Sequence, residues 1–584
     1  MIDQKSIAVL PFRNLSTDPE NDFFADGITE ELLIALGQIT GLKVTARTSS
    51  FVYKGHQKDI RIIGNELGVS TVLEGSIRKA GNRIRITTQL IRTDNGFTIW
   101  SERFDRELSD IFQLQDEISL LIAEQIRENF GHIEISDHLI LTKTNHIDAY
   151  QQYLKGRLYQ LNWSLEEFER AIACYQLSTQ LDPTYSEPHF GLVQCYSIMA
   201  GWRVMNREEA LEKADDHLRI GLAIQPESAQ AYFSQATRCF WADWKAHEGL
   251  QFLKKALAIA PNDTESLEQA AECYMALGQF REAFRQIDQA LERNPLSANH
   301  HYTKGTIHYL HGQYEEAIHW MDKALKIDQH WQLAAQVKAC CLILQGNGSA
   351  LDHFLDHHSG INNKAGLRTL NQLLHGDEES TAGFQPEANP YLPFEVYFPL
   401  YQGKTEEAFA ILQEGIKHRY GQFINFSNDP LMRPLHQHAS FRALVKTTFP
   451  IPQGTADETT PSTPSSKLSK GEIETYKEAL QTVITTDQVY LEADLTLRSL
   501  ADRIDLHPNK LSWLLNDILQ QNFNEYINGH RLAAFQQKAI DPTFKHYSIL
   551  GLAYECGFNS KSVFNEFFKR STGLTPSAWL RQNR

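Results

Sequence analysis

Apolar positions near the carboxyl end recur with helical spacing and predict a pair of short helices. Counted from Leu497, they fall at i, i+3, i+4 and i+7 and end at Ile504, which places them on one face of a helix. Thr496 is suited to cap the start of this helix, and Pro508 suits the first position of the next one. A second stripe of the same spacing runs from Leu511 to Ile518. Two short helices across a tight turn predict a helix-turn-helix.

The same arrangement recurs further along the chain. A stripe runs from Ile549 to Cys556, and Gly557 is placed to end that helix in a left-handed conformation. Another helix is predicted from about Ser560, with its phenylalanines buried, and Gly573 ends it. Residues 471–584 are therefore predicted to form an all-α domain with two helix-turn-helix units.

Five strings in this segment carry a resemblance to a known family. They are LRSLADRI (497–504), HPNKLS (507–512), NEYINGHRL (524–532), YSILGLAYECGFN (547–559) and GLTPS (573–577). On these strings the segment resembles the AraC/XylS family of transcription regulators. The resemblance implies sequence-specific binding of double-stranded DNA, with two recognition helices about one turn (~34 Å) apart in successive major grooves.

The candidate DNA-contacting residues are polar side chains expected on the non-core faces of the two recognition helices. They are Asn509, Lys510, Ser512, Trp513 and Asn516 on the first helix, and Ser560, Lys561, Ser562, Asn565 and Lys569 on the second. Asparagine and lysine can hydrogen-bond to base edges, and a tryptophan can contact a thymine methyl or the sugar backbone. The alternative for each residue is an ordinary solvated helix surface.

The helix that links the two units also carries expectations. By resemblance, Arg531 supports this helix or contacts phosphate. Phe535 and Lys538 stand where relatives usually have a small residue and a leucine, and Gly529 weakens the helix interior by ~1 kcal/mol relative to alanine. The packing of this helix is therefore expected to depart from the family pattern.

The amino-terminal residues 1–135 predict a small α/β domain. The expected strands are residues 7–12, 43–46, 71–78, 83–91 and 97–104, and the expected helices are residues 23–36, 60–67 and 111–130. Residues 79–82 form a hairpin signal, since Ile84 and Ile86 alternate with polar residues directly after it.

Five strings of this domain carry a second resemblance. They are IAVLPFRNL (7–15), FADGITEEL (24–32), ARTSSF (46–51), VLEGS (72–76) and WSERFD (100–105). They resemble the TolB-like amino-terminal domain found beside tetratricopeptide repeats in bacterial adenylate-cyclase-type and regulatory proteins. The resemblance implies a sensing or assembly module and brings no specific ligand with it.

A repeat with a period near 34 residues occupies residues 145–345. Its marker is a small residue followed twelve positions later by a helix terminator. The markers are Ala171 and Pro183, Ala214 and Pro226, Gly249 and Pro261, Ala283 and Pro295, and Ala317 and Gln329. This spacing predicts an all-α tetratricopeptide-repeat solenoid, with an insertion near residues 201–206. Its groove predicts a ligand or a protein or peptide partner.

Two further segments complete the predicted organisation. Residues 346–450 are expected to hold degenerate helical repeats, because residues 401–408 echo the repeat. Residues 451–470 are rich in proline, serine and threonine, which predicts a flexible linker.

The net charge of -16 argues at first against a nucleic-acid partner. Its distribution removes this objection, because residues 495–584 hold eleven Lys and Arg against seven Asp and Glu, a surplus of +4. The remainder of the chain therefore carries -20. The basic surplus is modest, so binding is expected to rely on base contacts, on dimerisation or on a second signal.

Other chemistry finds little support in the sequence. The seven cysteines show no C-x-x-C spacing, and His353 and His357 lack a third metal ligand at a suitable distance. Asp26, Glu30 and Glu31 are acids near a helix start, where the helix dipole favours them without catalysis. No phosphate-binding loop or serine-hydrolase motif occurs. We expect no enzyme activity, no cofactor, no metal and no membrane span, and a cytoplasmic location.

Three functions remain to be separated. The leading hypothesis is a transcription regulator in which the amino-terminal and repeat modules sense a ligand or partner. A repeat scaffold with minor DNA binding is the alternative, motivated by the small basic surplus. A cyclase-related enzyme rests on the amino-terminal resemblance alone. Whether the chain forms a homodimer is left open.

Overall fold

Strands in the amino-terminal part form one mixed sheet. The structure, a computed structural model, describes residues 3–16, 18, 21–140, 144–161, 165–358, 361–375, 389, 391–450 and 468–583. The strands are β1 (Ser6–Val9), β2 (Arg13–Asn14), β3 (Lys43–Val44), β4 (Thr71–Ala80), β5 (Arg83–Arg92) and β6 (Thr98–Glu107). Their order is β3-β1-β4-β5-β6, and β2 pairs with β4.

The hairpin predicted around residues 79–82 joins β4 to β5. Gly81 takes a left-handed conformation there, with φ of 58°. Ile84 and Ile86 are fully buried and Arg85 between them is exposed, so the predicted alternation is confirmed. β1 runs parallel to both β3 and β4, whereas β5 is antiparallel to its two neighbours.

Helices cover both faces of this sheet. They are α1 (Asn21–Gly37), α2 (Arg47–Phe51), α3 (Ile60–Leu67) and α4 (Ile111–Phe130). α1 and α4 bury Ile28 and Ile118 in one apolar cluster with Ile7 of β1. Ala8, the next residue of β1, lies in a separate cluster with Ile63 of α3. Successive side chains of a strand point to opposite faces, so β1 is buried on both.

Helix pairs follow the sheet domain. They are α5 (Ile147–Gln160) with α6 (Leu165–Leu181), α7 (Ser186–Gly201) with α8 (Arg207–Ile224), α9 (Ala229–Thr237) with α10 (Ala246–Ile259), α11 (Thr264–Ala276) with α12 (Phe280–Arg293), α13 (Ala298–Leu310) with α14 (Tyr314–Ile327), and α15 (Gln332–Leu344) with α16 (Gly348–His357). The small marker residues of the repeat, such as Ala283 and Ala317, are fully buried. The predicted tetratricopeptide solenoid is confirmed.

The apolar core of the solenoid continues past the predicted repeats. α17 (Lys364–Leu374), α18 (Phe394–Tyr401), α19 (Thr405–Lys417) and α20 (Phe441–Thr448) share one apolar cluster with α9 to α16. Asp429, just before a 3-10 segment at Pro430–Gln437, accepts a bond from the hydroxyl of Tyr309 at 2.9 Å. A linker was predicted at residues 451–470, and its residues 451–467 lie outside the described residues.

The first helices of the repeat pairs are here called the inner helices (α5, α7, α9, α11, α13 and α15). The sheet domain lies against α5 and against the loops before α11 and α13. Ser49 donates through its hydroxyl to Oδ1 of Asn294, in the loop before α13, at 2.6 Å. Asn262, in the loop before α11, donates to the carbonyl oxygens of Gly37 and Leu42 at 3.0 and 2.9 Å. The chain's own amino-terminal domain therefore covers part of the groove that the sequence predicted.

The carboxy-terminal part is all-helical. Its helices are α21 (Lys470–Thr485), α22 (Leu497–Arg503), α23 (Pro508–Trp513), α24 (Phe523–Ile540), α25 (Ile549–Tyr554), α26 (Lys561–Thr572) and α27 (Pro576–Asn583). α21 to α23 and the start of α24 share one apolar cluster, and the rest of α24 shares another with α25 to α27. The predicted fold class of an α/β domain, a repeat solenoid and a double helix-turn-helix domain is confirmed.

Candidate nucleic-acid interface

The first helix-turn-helix unit is built as its sequence predicts. The hydroxyl of Thr496 accepts from the backbone N–H of Ser499 at 3.1 Å, which caps α22. Asp505 takes a left-handed conformation in the turn, with φ of 49°. Pro508 then opens α23, the first recognition helix, which continues into a π-helical segment at Leu514–Ile518.

The second unit depends on a glycine at its turn. Gly557 has φ of 88°, and a Cβ atom there would lie 2.4 Å from the carbonyl oxygen of Tyr490. Both the conformation and the space therefore demand glycine. Ser560 caps α26, the second recognition helix, by accepting from the N–H of Val563 at 3.2 Å. Gly573 ends α26 with φ of 74°.

The linking helix α24 contributes side chains to the apolar cores of both units. Phe535 is fully buried, and its ring centroid lies 4.9 Å from that of Phe564 and 5.7 Å from that of Phe568. The aromatic residue that departs from the family pattern thus fills the core of the second unit. Gly529 lies on the exposed side of α24 with open space around it.

Arg531 donates hydrogen bonds to the turn before α22. Its Nε donates to the carbonyl oxygen of Tyr490 at 2.7 Å, and its Nη2 donates to that of Glu492 at 2.6 Å. Burial lowers the pKa of this guanidinium to about 10. Of the two roles that the resemblance implied, support of the linking helix is the one that these bonds provide.

The predicted contact residues of the second recognition helix lie on an open face. Lys561, Ser562, Asn565 and Lys569 are all exposed. Ser560 is half-buried and its hydroxyl serves the cap of α26. α26 therefore offers two lysines, a serine and an asparagine on one accessible surface.

Two side chains of the first recognition helix are buried where the sequence predicted them to be exposed. Ser512 and Trp513 were expected on the non-core face, but their exposed fractions are 0% and 8%. That expectation is corrected, since Trp513 belongs to the same apolar cluster as Leu480 and Ile484 of α21. The sequence pattern alone does not indicate that α21 packs against this ring, so the burial of Trp513 was not predicted.

Asn509 and Lys510 of α23 and Asn516 of the π-helical segment after it are half-buried, and Asn509 contacts the amino-terminal domain. Its Oδ1 accepts from Nη1 of Arg127 at 2.7 Å and from the N–H of Ile135 at 3.3 Å. Its Nδ2 donates to the carbonyl oxygen of Ile135 at 3.2 Å. Both halves of the side-chain amide are therefore occupied by the backbone of Ile135.

Further contacts surround this point. The N–H of Leu497, at the start of α22, donates to Oε1 of Glu128 at 2.8 Å. Nε of Arg498 donates to Oε1 of Glu124 at 2.8 Å, and Nδ2 of Asn522 donates to the carbonyl oxygen of Asn129 at 3.1 Å. We call this set of contacts the junction. It joins residues 124–135 to the first helix-turn-helix unit and to Asn522, which caps α24.

The junction buries charge. Burial raises the pKa of Glu128 to about 7, although the bond from Leu497 and the charge of Arg127 oppose the rise. Arg127 is also buried, and desolvation lowers its pKa. Nothing in the sequence marked Glu124, Arg127 or Glu128 as functional, because each reads as an ordinary residue of an amphipathic helix.

The second recognition helix makes a weaker contact with the amino-terminal domain. Nη1 of Arg92 lies 3.6 Å from Oε1 of Glu566. Glu566 is exposed, and an exposed ion pair contributes about 0 to 1 kcal/mol. α26 is thus far less restrained than α23.

Metal sites, disulfides and membrane-spanning helices are absent from the described part of the chain. No group of three or more His, Cys, Asp or Glu that could hold a metal occurs there. The seven cysteines are free thiols. No described helix is long and apolar enough to cross a membrane.

Family models match all three parts of the chain. A helix-turn-helix domain model matches residues 500–582, and the second domain of HilA/YgeH-like transcriptional regulators matches residues 3–121. Tetratricopeptide models match residues 152–185 and 269–331. The chain therefore carries a helix-turn-helix domain of AraC type, tetratricopeptide repeats and an amino-terminal domain of a kind found in transcription regulators. The TolB-like resemblance stays a prediction.

Individual relatives are similar over parts of the chain. A Rhizobium meliloti protein named "Putative adenylate cyclase 3" is 55% identical over 122 residues, which are 21% of each chain. An Escherichia coli protein named "Uncharacterized HTH-type transcriptional regulator YijO" is 35% identical over 98 residues, 16% of this chain and 32% of that protein. The chain thus spans about a fifth and a third of these curated relatives.

Solved repeat structures are similar as well. The tetratricopeptide protein YrrB, described as having an unusual peptide-binding site, is 25% identical and has a TM-score of 0.22. The match covers 33% of this chain and 92% of that protein. The matched family models are of regulator and repeat types, and the cyclase name belongs to a relative of which the chain spans 21%.

Proposed function

We propose that this protein is a transcription regulator that binds specific sequences of double-stranded DNA through residues 471–584. The observation that carries the proposal is the pair of helix-turn-helix units joined by one continuous helix, α24. Such units can place α23 and α26 in successive major grooves. α26 would read bases through Lys561, Ser562, Asn565 and Lys569. The first recognition helix would read them through Asn509 and Lys510 of α23 and Asn516 of the π-helical segment that continues it.

We also propose that the amino-terminal domain restrains the first recognition helix. An asparagine side chain reads adenine by accepting one hydrogen bond and donating another. In the junction, the N–H and C=O of Ile135 offer Asn509 the same donor and acceptor pair. The contact to protein and the contact to a base are therefore mutually exclusive for this residue. Release of the junction is the step at which a sensed ligand or partner would act.

The charge distribution supports a regulator whose DNA binding depends on base contacts and on a second signal. The surplus near the carboxyl end is only +4 and the rest of the chain carries -20, so non-specific attraction to phosphate is weak. Base contacts must then supply most of the discrimination. We place the regulator in the cytoplasm, and a homodimer remains a prediction.

A partner in the repeat groove is part of the same proposal. The sheet domain already lies on the loops before α11 and α13, so a protein bound over these inner helices would displace it. Such displacement would also disturb the junction, because α4 belongs to the displaced domain. The alternative, a repeat scaffold with minor DNA binding, would leave DNA affinity unchanged when a partner binds.

Selection of sequences from a random duplex pool tests the proposed function. The full chain is the bait, since the junction is part of the molecule. We expect enrichment of one motif with two half-sites about one helical turn apart. Recovery no better than background, by a chain shown to be folded by circular dichroism, would overturn the proposal.

A further inference from the structure

A cavity of about 360 Å³ remains where the sheet domain covers the inner helices. Glu30 and Arg47 line it from the sheet domain, and side chains of α5, α7, α9, α11 and α13 line it from the solenoid. Ligand sites often lie at such interfaces between domains. From its lining we infer that this cavity binds a small organic amine, an ammonium group carried on a slender aliphatic chain.

The charges of the lining favour a cation. Five carboxyl groups stand against two guanidinium groups, Arg47 and Arg157. Both arginines are already paired, because Glu30 lies 3.3 Å from Nε of Arg47 and 3.4 Å from Nη2 of Arg157. Nη2 of Arg157 also contacts Glu265 at 3.0 Å. The other three carboxyl groups are those of Asp263, which caps α11, and of Glu268 and Glu272 on α11.

Glu268 and Glu272 lie one turn apart on the same side of α11. Glu268 accepts from the hydroxyl of Thr303 at 2.8 Å and lies 3.1 Å from Nδ1 of His300. Glu272 has no ion pair within the described residues. Burial raises its pKa well above the ordinary value, and Glu268 raises it further. An ammonium ion beside Glu272 would relieve this cost, since a nearby opposite charge favours the ionised carboxylate.

Gln269 gives an independent indication of a ligand. Its side chain is 4% exposed and lines the cavity, and its Nε2 has no hydrogen-bond partner among the described residues. The hydroxyl of Thr237 lies 2.9 Å from its Oε1 and also donates to the carbonyl oxygen of Phe233. One hydroxyl proton cannot serve both acceptors.

If Thr237 donates to Phe233, the amide of Gln269 is better placed with its NH2 group toward Thr237. Its carbonyl oxygen then faces the cavity as an acceptor with no partner in the described part of the chain. An acceptor beside Glu272 suits the N–H groups of an amine. Either orientation leaves one buried polar atom for a ligand to satisfy, and such atoms are rare in folded proteins.

The cover given by the sheet domain and the aromatic lining of the cavity restrict the class of ligand further. Phe233, Trp241 and Trp331 also line the space, and aromatic faces attract organic cations. The sheet domain covers the inner helices here, so a diffusible molecule fits the site better than a folded protein. Putrescine and spermidine are suitable probes of this chemistry.

Calorimetric titration of the full chain, without DNA, tests the inference. We expect putrescine or spermidine to bind and 1,4-butanediol, the uncharged analogue of putrescine, not to bind. Glu272→Gln should weaken amine binding by about tenfold or more, because a hydrogen bond to a charged group is lost. Glu292→Gln, the same change on the exposed surface of α12, should leave binding unchanged.

A second variant protects the test against misfolding. Gln269→Leu keeps the approximate volume and removes the unpartnered amide, so it should weaken amine binding while the circular dichroism spectrum stays the same. Absence of binding by both amines, or equal affinity in Glu272→Gln and the unaltered chain, would overturn the inference. Because DNA is absent, either result leaves the proposed DNA recognition untouched.

Discussion

Asn509 occupies the start of the first recognition helix, and its amide is bonded on both sides by the backbone of Ile135. Nη1 of Arg127 adds a third bond to this side chain by donating to its Oδ1. A residue held in this way is unavailable to a base edge until the junction separates. The exposed residues of α26 carry no such restraint, so the two recognition helices are expected to contribute differently to initial DNA binding.

Lys561 is the residue of α26 whose role is simplest to test. Lys561→Ala should weaken binding to the selected DNA by ~1 to 3 kcal/mol and relax the preference at one base position, because a base-reading contact is lost. Lys254→Ala on the exposed side of α10 removes the same charge from the repeat solenoid and serves as control. Equal affinities of both variants and the unaltered chain, measured by fluorescence anisotropy, would refute the assignment.

Glu128 should make the junction sensitive to pH. Its pKa is about 7 when buried, against an ordinary 4.5. A carboxyl with a raised pKa binds its proton more tightly in the docked state, so docking is strongest below about pH 4.5 and weakens as the pH rises to about 7. This shift in pKa corresponds to about 3 kcal/mol of docking free energy. DNA affinity of the full chain should therefore increase from about pH 5.5 to about pH 7.5.

Glu128→Gln isolates this effect from other titrations. The glutamine keeps an acceptor for the N–H of Leu497 and cannot ionise, so the part of the pH dependence due to Glu128 should disappear. Nearby His132 has a pKa lowered by burial, and it is retained in both proteins. Identical pH profiles of the two proteins in DNA-binding titrations would contradict the role of Glu128.

At the scale of elements, two glycines of the carboxy-terminal domain are expected to respond in opposite ways to alanine. Gly557→Ala should destabilise the second unit by about 2 kcal/mol or more, because its φ is 88° and its Cβ would meet backbone. Gly529→Ala should stabilise α24 by about 0.5 to 1 kcal/mol, since the glycine lies inside a helix in open space. Thermal unfolding by circular dichroism measures both, and a similar change in each would contradict the geometry.

The sequence predicted most elements because local patterns determine them. The repeat period located the helix pairs, and Thr496 and Pro508 marked the starts of α22 and α23. The positions of Ser512 and Trp513 were missed because they depend on α21, whose apolar residues pack on a distant stretch of chain. Docking contacts such as Glu124 with Arg498 join residues 374 positions apart, and a single sequence carries no local pattern for them.

At the scale of the whole molecule, the amino-terminal domain contacts both the repeats and the DNA-binding domain. Its loops and α2 contact the solenoid near Asn262 and Asn294, whereas α4 contacts α22 and Asn522. A change in how this domain sits on the inner helices would therefore reach the first recognition helix directly. This arrangement is the physical basis of the regulation we propose.

The restraint of the first recognition helix by the amino-terminal domain is tested most directly by one comparison. The affinity of the full chain for its selected DNA is compared with the affinity of Glu124→Arg. The reversed charge would repel Arg498 and open the junction, while every residue of the DNA-binding domain stays unchanged. Glu117→Arg adds the same charge on α4 away from the junction and is the matched control. We predict that Glu124→Arg binds about tenfold more tightly, ~1.4 kcal/mol, than the unaltered chain and the control. Equal affinity of all three proteins for the selected sequence would contradict the account.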